Sequence, residues 1–194
     1  MNPRVLWLSA LAVSAAAQLA FPQTYFPVGA LPEAAAVRYA RFLTAMHEPS
    51  LYELSRQRPG AEAYRLLWLR SDRRPASIRF AAKPGGTGWF YRRITGGTGS
   101  TPPGGFREYG MSWSWKSRTA SFLRTIDDVA FWSLATGSSD TLDFCRSHWI
   151  LEGVRQGQYR VIDRCSPPEG DPIRIIGVRA MRLANLKVHR DQIY

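Results

Sequence analysis

The sequence predicts an α+β fold built on a single antiparallel β-sheet, with helices packed on one face and a helix towards each end. Three patterns predict this fold. Apolar and polar residues alternate in short runs joined by short turns, which favour antiparallel strands. Apolar residues recur at helical spacing in residues 33–46 and in residues 172–186. A further helical pattern, in residues 116–130, separates the strand-like runs into two groups.

The terminal helices have recognisable limits. An Ala-rich stretch of high helix propensity covers residues 33–46, and its larger apolar side chains fall on one helical face. Pro49 ends this helix, and a short second helix is expected near Leu51. The last helix is predicted to begin at residue 172, because Asp171 is a favoured N-cap and Pro172 suits the first helical position.

Three or four antiparallel strands are predicted between the second helix and residue 116. The segments are 64–70, 77–82, 88–95 and 106–115. Each is bounded by residues that favour turns, such as Gly, Pro, Ser and Asp. The loop over residues 96–105 is rich in Gly and Thr but lacks the Lys-Ser/Thr ending of a phosphate-binding loop. It is therefore predicted to be a plain connection.

Cys145 and Cys165 are the only cysteines, and they flank a predicted hairpin. Neighbouring glycines favour a turn centred on Arg155. This register places Cys145 opposite Cys165 and predicts a structural disulfide. The alternative is a free catalytic thiol, but the nearest His, His148, is predicted to point to the opposite face of the sheet. The disulfide is therefore favoured, and it fits an oxidising compartment.

Residues 1–17 have the layout of a secretory signal peptide. Arg4 precedes an apolar run, and three alanines end it before a predicted cleavage site. The run is short for a membrane span, but an uncleaved leader is the alternative, with residues 5–21 as an anchor. Residues 18–31 are then a lead-in segment, and residues 32–194 form a single domain. The expected location is periplasmic or secreted, or attached to the membrane by the N-terminus.

The chain is strongly basic, with a formal net charge of +11 that comes from 23 Arg and 3 Lys against 15 acidic residues. The positive charge is dispersed, because no run of Lys or Arg is longer than two residues. Nucleic-acid binders usually concentrate charge on one helix or stripe, so no nucleic-acid partner is expected. Electrostatic binding to an anionic lipid or polymer stays open as an alternative.

No catalytic or metal-binding motif is present. The three histidines, His47, His148 and His189, lack a second ligand at metal-binding spacing, so neither a metal nor a cofactor is expected. No G-x-S-x-G motif occurs. Two carboxylates near the hairpin are expected to form ion pairs. Glu152 is expected to pair with Arg160, diagonally across the hairpin, and Asp163 with a neighbour in sequence, Arg160 or Arg164.

Trp113 and Trp115 are the most suggestive candidates for ligand binding. In a strand, both side chains point to one face, about 7 Å apart. Two coplanar aromatic rings form a platform on which sugar rings or an apolar peptide can stack. The alternative is that this face of the strand belongs to the core, since Trp is mostly buried in proteins.

Four segments have a distinctive sequence: residues 48–54 (EPSLYEL), 64–70 (YRLLWLR), 149–153 (WILEG) and 159–164 (YRVIDR). They resemble segments of an uncharacterised family of exported bacterial proteins. The resemblance covers most of residues 40–194. It implies a bacterial source and a shared fold, and it implies no particular activity.

The sequence therefore favours a non-catalytic, exported binding module whose partner is an envelope protein or a cell-wall polymer. An enzyme of the cell envelope is the alternative from another class. In that case carboxylates such as Glu152 and Asp163 would be gathered by the fold in an open cleft.

Overall fold

The computed structural model describes residues 24–136 and 145–193 of the chain. Four α-helices lie within these residues: α1 (Glu33–Ala45), α2 (Leu51–Gln57), α3 (Lys116–Asp128) and α4 (Pro172–Leu183). The strands are β1 (Ala63–Arg70), β2 (Ala76–Lys83), β3 (Thr87–Thr95), β4 (Phe106–Ser114), β5 (Ser147–Arg155) and β6 (Gln158–Cys165). The predicted signal peptide and anchor lie outside the described residues. Among the described helices, none is both long and apolar enough to cross a membrane.

The six strands form one antiparallel sheet in the order β4-β3-β2-β1-β5-β6. Consecutive hairpins join β1 to β4, and β5 and β6 form a second hairpin on the other side of β1. The chain passes through α3 between the two groups and returns so that β5 pairs with β1. The predicted α+β class, the single antiparallel sheet and the N- and C-terminal helices are confirmed.

Helices cover both faces of the sheet, which corrects the prediction that they pack on one face. α3 and α4 bury one face with apolar residues such as Phe122 and Ile176 against Trp68 and Trp149. α1 and the described part of the lead-in, residues 24–31, bury part of the opposite face, against Leu67, Leu69, Ile150 and Val161. The cause is visible in the central strands, where every residue except the last Arg is buried in both β1 and β5. Strands that are apolar on both faces need a cover on both.

The β5–β6 hairpin has a different register from the predicted one. Its turn consists of Gln156 and Gly157, which both have positive φ, 53° and 75°, as tight two-residue hairpin turns require. Arg155 is therefore the last residue of β5 and pairs with Gln158, whereas the predicted register placed Arg155 at the centre of the turn. The shift is an odd number of residues, so it moves every inward side chain of β6 to the other face.

The predicted disulfide between Cys145 and Cys165 is present, with a Cα–Cα distance of 5.4 Å. It survives the change of register because Cys145 lies two residues before β5 begins, outside the paired region. Cys165 itself pairs with His148 in the ladder. A disulfide persists in oxidising compartments, so the bond indicates a location outside the cytoplasm.

Gly177 lets α4 approach the sheet closely. A Cβ at this position would lie 2.6 Å from Cζ3 of Trp149 and 3.1 Å from Cδ2 of Leu66. We expect Gly177→Ala to destabilise the fold by about 1–3 kcal/mol, because a packed core resists extra volume. Chemical denaturation measures this change. Gly60→Ala is the control, since nothing lies within 4 Å of its added Cβ; equal effects of the two substitutions would contradict this packing.

Candidate functional site

The sheet face that α1 covers is only half covered. α1 and the lead-in pack over β1, β5 and β6, whereas β4 presents large side chains to solvent on the same face. Met111 is 51% exposed and Tyr109 is 49% exposed. Cross-strand register places Met111 beside Tyr91. We call this surface the aromatic face. Its members are Trp89, Tyr91, Tyr109, Met111, Trp113 and Trp115.

Three tryptophans form a row at one end of the aromatic face. The ring centroids of Trp89 and Trp113 are 4.7 Å apart, and those of Trp113 and Trp115 are 6.1 Å apart. Both pairs meet edge to face, with interplanar angles of 72° and 85°. Trp113 is half-buried, and Trp115, just beyond the end of β4, is 69% exposed. The structure thus brings the two predicted tryptophans together at the surface.

The relative orientation of Trp113 and Trp115 differs from the expected one. Two coplanar rings would form a flat platform, but these two rings are nearly perpendicular. The alternative of a fully buried core position is also wrong, because neither ring is buried. The pair therefore fits an irregular apolar surface better than a flat sugar ring. The role of Trp113 and Trp115 in binding stays a prediction.

Two arginines lie over the aromatic face. The guanidinium carbon of Arg79 is 4.2 Å from the ring centroid of Tyr91, and that of Arg93 is 5.7 Å from the ring centroid of Tyr109. Both distances lie within the range of cation–π attraction. Both side chains are largely buried. The surface therefore combines apolar rings with positive charge.

The aromatic face ends at an open edge of the sheet. β4 is the terminal strand and has a strand neighbour on one side only. Edge strands usually carry charged residues or proline that block further pairing. In β4 the two charged residues, Arg107 and Glu108, lie near its start, and the stretch from Tyr109 to Ser114 is uncharged. This part of the edge is therefore available for pairing with another extended chain.

A buried network of charged groups lies beneath the half of this sheet face that α1 and α2 border. Arg65, on β1, is fully buried and contacts Glu152, on β5, through Nε at 2.7 Å and Nη2 at 2.5 Å. Its Nη1 donates to the carbonyl oxygen of Pro49 at 2.5 Å. The hydroxyl of Tyr159 donates to Glu152 at 2.8 Å. The protein itself thus supplies several polar partners to this buried ion pair.

Glu48 extends the network to the aromatic face. Its carboxylate lies 3.7 Å from Nη1 of Arg65, 2.8 Å from Nε of Arg79 and 3.4 Å from Nε of Arg93. Arg93 also donates to the carbonyl oxygens of Met46 and His47. The connection between α1 and α2 thus fixes the two arginines that lie over the tyrosines of the aromatic face.

Burial and charge shift the pKa values of the network in a consistent way. Burial alone would lower the pKa of Arg65, but the negative charges of Glu152 and Glu48 outweigh it, and the pKa is raised. Burial raises the pKa of Glu152, and the attraction of Arg65 offsets only part of this. Burial and the neighbouring Glu152 carboxylate raise the pKa of Tyr159 well above its usual value. Arg65 thus stays charged and Tyr159 stays a hydrogen-bond donor at neutral pH.

A second buried cluster joins α1 to the β5–β6 hairpin. The hydroxyl of Tyr39 donates to Asp163 at 2.6 Å and lies 3.1 Å from Nδ1 of His148. His148 Nδ1 and Asp163 Oδ1 are 3.4 Å apart. Burial, and then the charge of Asp163, raise the pKa of Tyr39. Nε2 of His148 has no hydrogen-bond partner among the described residues. Because Tyr39 lies on α1 and its two partners lie on β5 and β6, the cluster fixes α1 to the sheet.

The predicted surface ion pairs of Glu152 and Asp163 are wrong. Glu152 was expected to pair with an Arg across the hairpin, but it contacts Arg65 on the neighbouring strand. Asp163 contacts Tyr39 and His148. The reason is the hairpin register, which turns Tyr159 and Asp163 towards the face that carries His148 and Glu152. Both carboxylates are at most 2% exposed.

The described residues were also compared with the ligand arrangements that metal ions need. Within residues 24–136 and 145–193, no group of three or more His, Cys, Asp or Glu side chains is arranged to hold a metal ion. His148 is buried, whereas His47 is exposed and stacks on Phe106 with ring centroids 5.6 Å apart.

Sequence reasoning missed the buried network, although its signal was present. Charged residues occur within segments that are otherwise apolar, as Arg65 does in YRLLWLR and Glu152 in WILEG. The four segments that carry the resemblance each contribute to this network. They supply Glu48, Arg65, Glu152 and Tyr159, respectively. The segments therefore meet at one place in the fold.

These features define a small, disulfide-bonded α+β domain with a half-open sheet and a buried charge network. A scan against protein-family models finds no match, and a search of curated proteins finds no relative of this chain. The function is therefore inferred from the surface itself.

Proposed function

We propose that this protein is an exported, non-catalytic binding module that holds an extended segment of an envelope protein along β4. The observation that carries the proposal is the uncharged edge of β4 beside the exposed aromatic face. A peptide added to a sheet edge gains main-chain hydrogen bonds, and its alternate side chains meet the side chains of the edge strand. Here they would meet Tyr109, Met111 and Trp113.

The exposed side chains supply enough apolar surface for such binding. Full burial of one large apolar side chain stabilises a complex by about 1.5–3 kcal/mol. Tyr109, Met111 and Trp115 are each about half exposed or more. Tryptophan and tyrosine are also the residues that most often dominate binding energy at interfaces.

Two independent features support export. The N-terminal sequence has the layout of a signal peptide, and the Cys145–Cys165 disulfide fits an oxidising compartment. The periplasm or the secreted fraction is the location that we propose.

The contacts weigh against a sugar-binding platform and against the enzyme alternative. A sugar platform needs coplanar rings, and Trp113 and Trp115 are perpendicular. The enzyme alternative needs carboxylates in an open cleft, whereas Glu152 and Asp163 are buried among protein partners. Both carboxylates are satisfied by structural contacts and do not reach the surface.

Affinity purification from the native host tests the proposal. We expect Trp115→Ala to reduce recovery of the partner about 30-fold, the effect of losing an interface residue worth about 2 kcal/mol. Trp115 is mostly exposed, so its loss leaves the fold intact. The matched control is Ile175→Ala, since Ile175 is an exposed apolar residue on α4, on the other side of the sheet. Equal recovery with both variants would refute the binding surface.

A further inference from the structure

A second concave surface lies on the opposite side of the sheet, where β1 ends and the C-terminal segment crosses β3 and β4. It encloses a cavity of about 550 Å³. We call it the basic groove, after five of its lining residues: Arg70, Arg73, Arg74, Arg92 and Lys187. Glu108 is the only acidic residue among those that line it. The groove therefore carries an excess of positive charge within a small volume.

Part of this charge has no ion-pair partner among the residues that the structure describes. Arg92 contacts Glu108 and donates to the carbonyl oxygen of Asn185 at 2.7 Å. Arg73 has only an exposed contact with Asp72 at 3.6 Å. The side chains of Arg74 and Lys187 make no hydrogen bond or ion pair within the described part of the chain. Both are exposed and free to contact a ligand.

The wall of the basic groove is held in place. The guanidinium carbon of Arg70 lies 3.9 Å from the ring centroid of Trp68, and its Nη2 donates to the carbonyl oxygen of Arg74 at 3.2 Å. The amide of Gly99 donates to the carbonyl oxygen of Arg70 at 2.6 Å. The turn between β1 and β2 is thereby fixed against the loop after β3. A site that is already ordered loses little conformational entropy on binding.

We propose that the basic groove binds a phosphate group. Arginine presents planar, forked donors that match phosphate oxygens, and lysine adds a point charge. Mutual repulsion among five cations is relieved when an anion enters between them. The groove lies on the face of the sheet that carries Arg92 and Ile94, opposite the aromatic face. Binding of a phosphate group in the basic groove is therefore independent of peptide binding along β4.

Two sources of the phosphate group are distinguished by two probes. Inorganic phosphate represents a free ligand, and vesicles of phosphatidylglycerol in phosphatidylcholine represent a lipid headgroup; pure phosphatidylcholine vesicles give the baseline. The full-length protein is titrated with each probe at low salt, because screening weakens such contacts. The groove variant is Arg74→Glu with Lys187→Glu. The control variant, Arg58→Glu with Arg124→Glu, has the same change of net charge at exposed positions outside the groove.

The proposal predicts that the groove variant binds at least about 10-fold more weakly and that the control variant binds like the unaltered protein. Loss of binding to inorganic phosphate in the groove variant identifies a free phosphate ligand. Loss that is confined to phosphatidylglycerol vesicles identifies a lipid headgroup. Equal losses in both variants, or no binding of either probe above the baseline, would overturn the proposal.

Discussion

Replacing Arg65 by methionine is expected to lower the free energy of unfolding by about 3–5 kcal/mol, the cost of leaving a buried charge without its partner. Arg65 is fully buried and gives two close contacts to Glu152. Without it, the Glu152 carboxylate keeps the hydroxyl of Tyr159 as its one hydrogen-bond donor within residues 24–136 and 145–193. Urea denaturation at neutral pH, with the disulfide intact, measures the change.

A double-mutant cycle separates the ion pair from general damage. Glu152→Leu alone is also expected to be strongly destabilising, because Arg65 then stays buried with a more distant carboxylate, that of Glu48. The double variant, Arg65→Met with Glu152→Leu, should cost much less than the sum of the two, since an apolar pair replaces both charges. Arg73→Ala, which removes an exposed ion pair, should change stability by less than about 1 kcal/mol. Additive effects would contradict the assigned pairing.

Replacing Cys145 and Cys165 by alanine is expected to lower the free energy of unfolding by about 3 kcal/mol. The two cysteines are separated by 20 positions, and closing a loop of this length restricts the unfolded chain by about that amount. The bond also joins the segment before β5 to the end of β6, at the open end of the hairpin. Denaturation of the oxidised protein and of the alanine variant measures the difference.

Reduction gives the control for the disulfide. A reducing agent should destabilise the unaltered protein by a similar amount and leave the alanine variant unchanged. If the unaltered protein unfolds at the same denaturant concentration with and without the reductant, the bond does not stabilise the fold. That result would also weaken the argument that the protein folds in an oxidising compartment.

Local patterns predicted the elements of this fold well. The strand β1 and the helix α4 agree with their predicted starts within one residue, because alternating and helical periodicities are properties of adjacent residues. The Asp171 side chain caps α4 by accepting from the amide of Ile173 at 2.8 Å. Such contacts involve neighbours in sequence, so the sequence displays them directly.

The hairpin register was not predictable from glycine positions alone. Gly153 and Gly157 suggested a turn centred on Arg155, yet Gly153 lies inside β5. A side chain there would come within 2.6 Å of Phe131, so this glycine serves packing. Gln156, a residue that seldom adopts positive φ, takes the first turn position. Glycine thus had a packing role that sequence alone does not distinguish from a turn.

The candidate site was predictable in position but not in arrangement. Trp113 and Trp115 were singled out from their spacing in a strand, and both reach the surface. Their perpendicular rings, and the contact of Trp113 with Trp89 on the neighbouring strand, depend on how the strands pair. The buried network depends on contacts between distant segments, such as Arg65 with Glu152. These arise only when the whole sheet has formed.

Site-specific photo-crosslinking in the native host tests the central claim most directly. Tyr109 on β4 is replaced by p-benzoylphenylalanine, which has a similar ring, and Ile175 on α4 is replaced in a second strain as the exposed control. The account predicts a discrete protein crosslinked from position 109 and absent from position 175, and lost when Trp115→Ala is added. Equal crosslinking from both positions, or crosslinking from position 175 alone, would show that the aromatic face is not the binding surface.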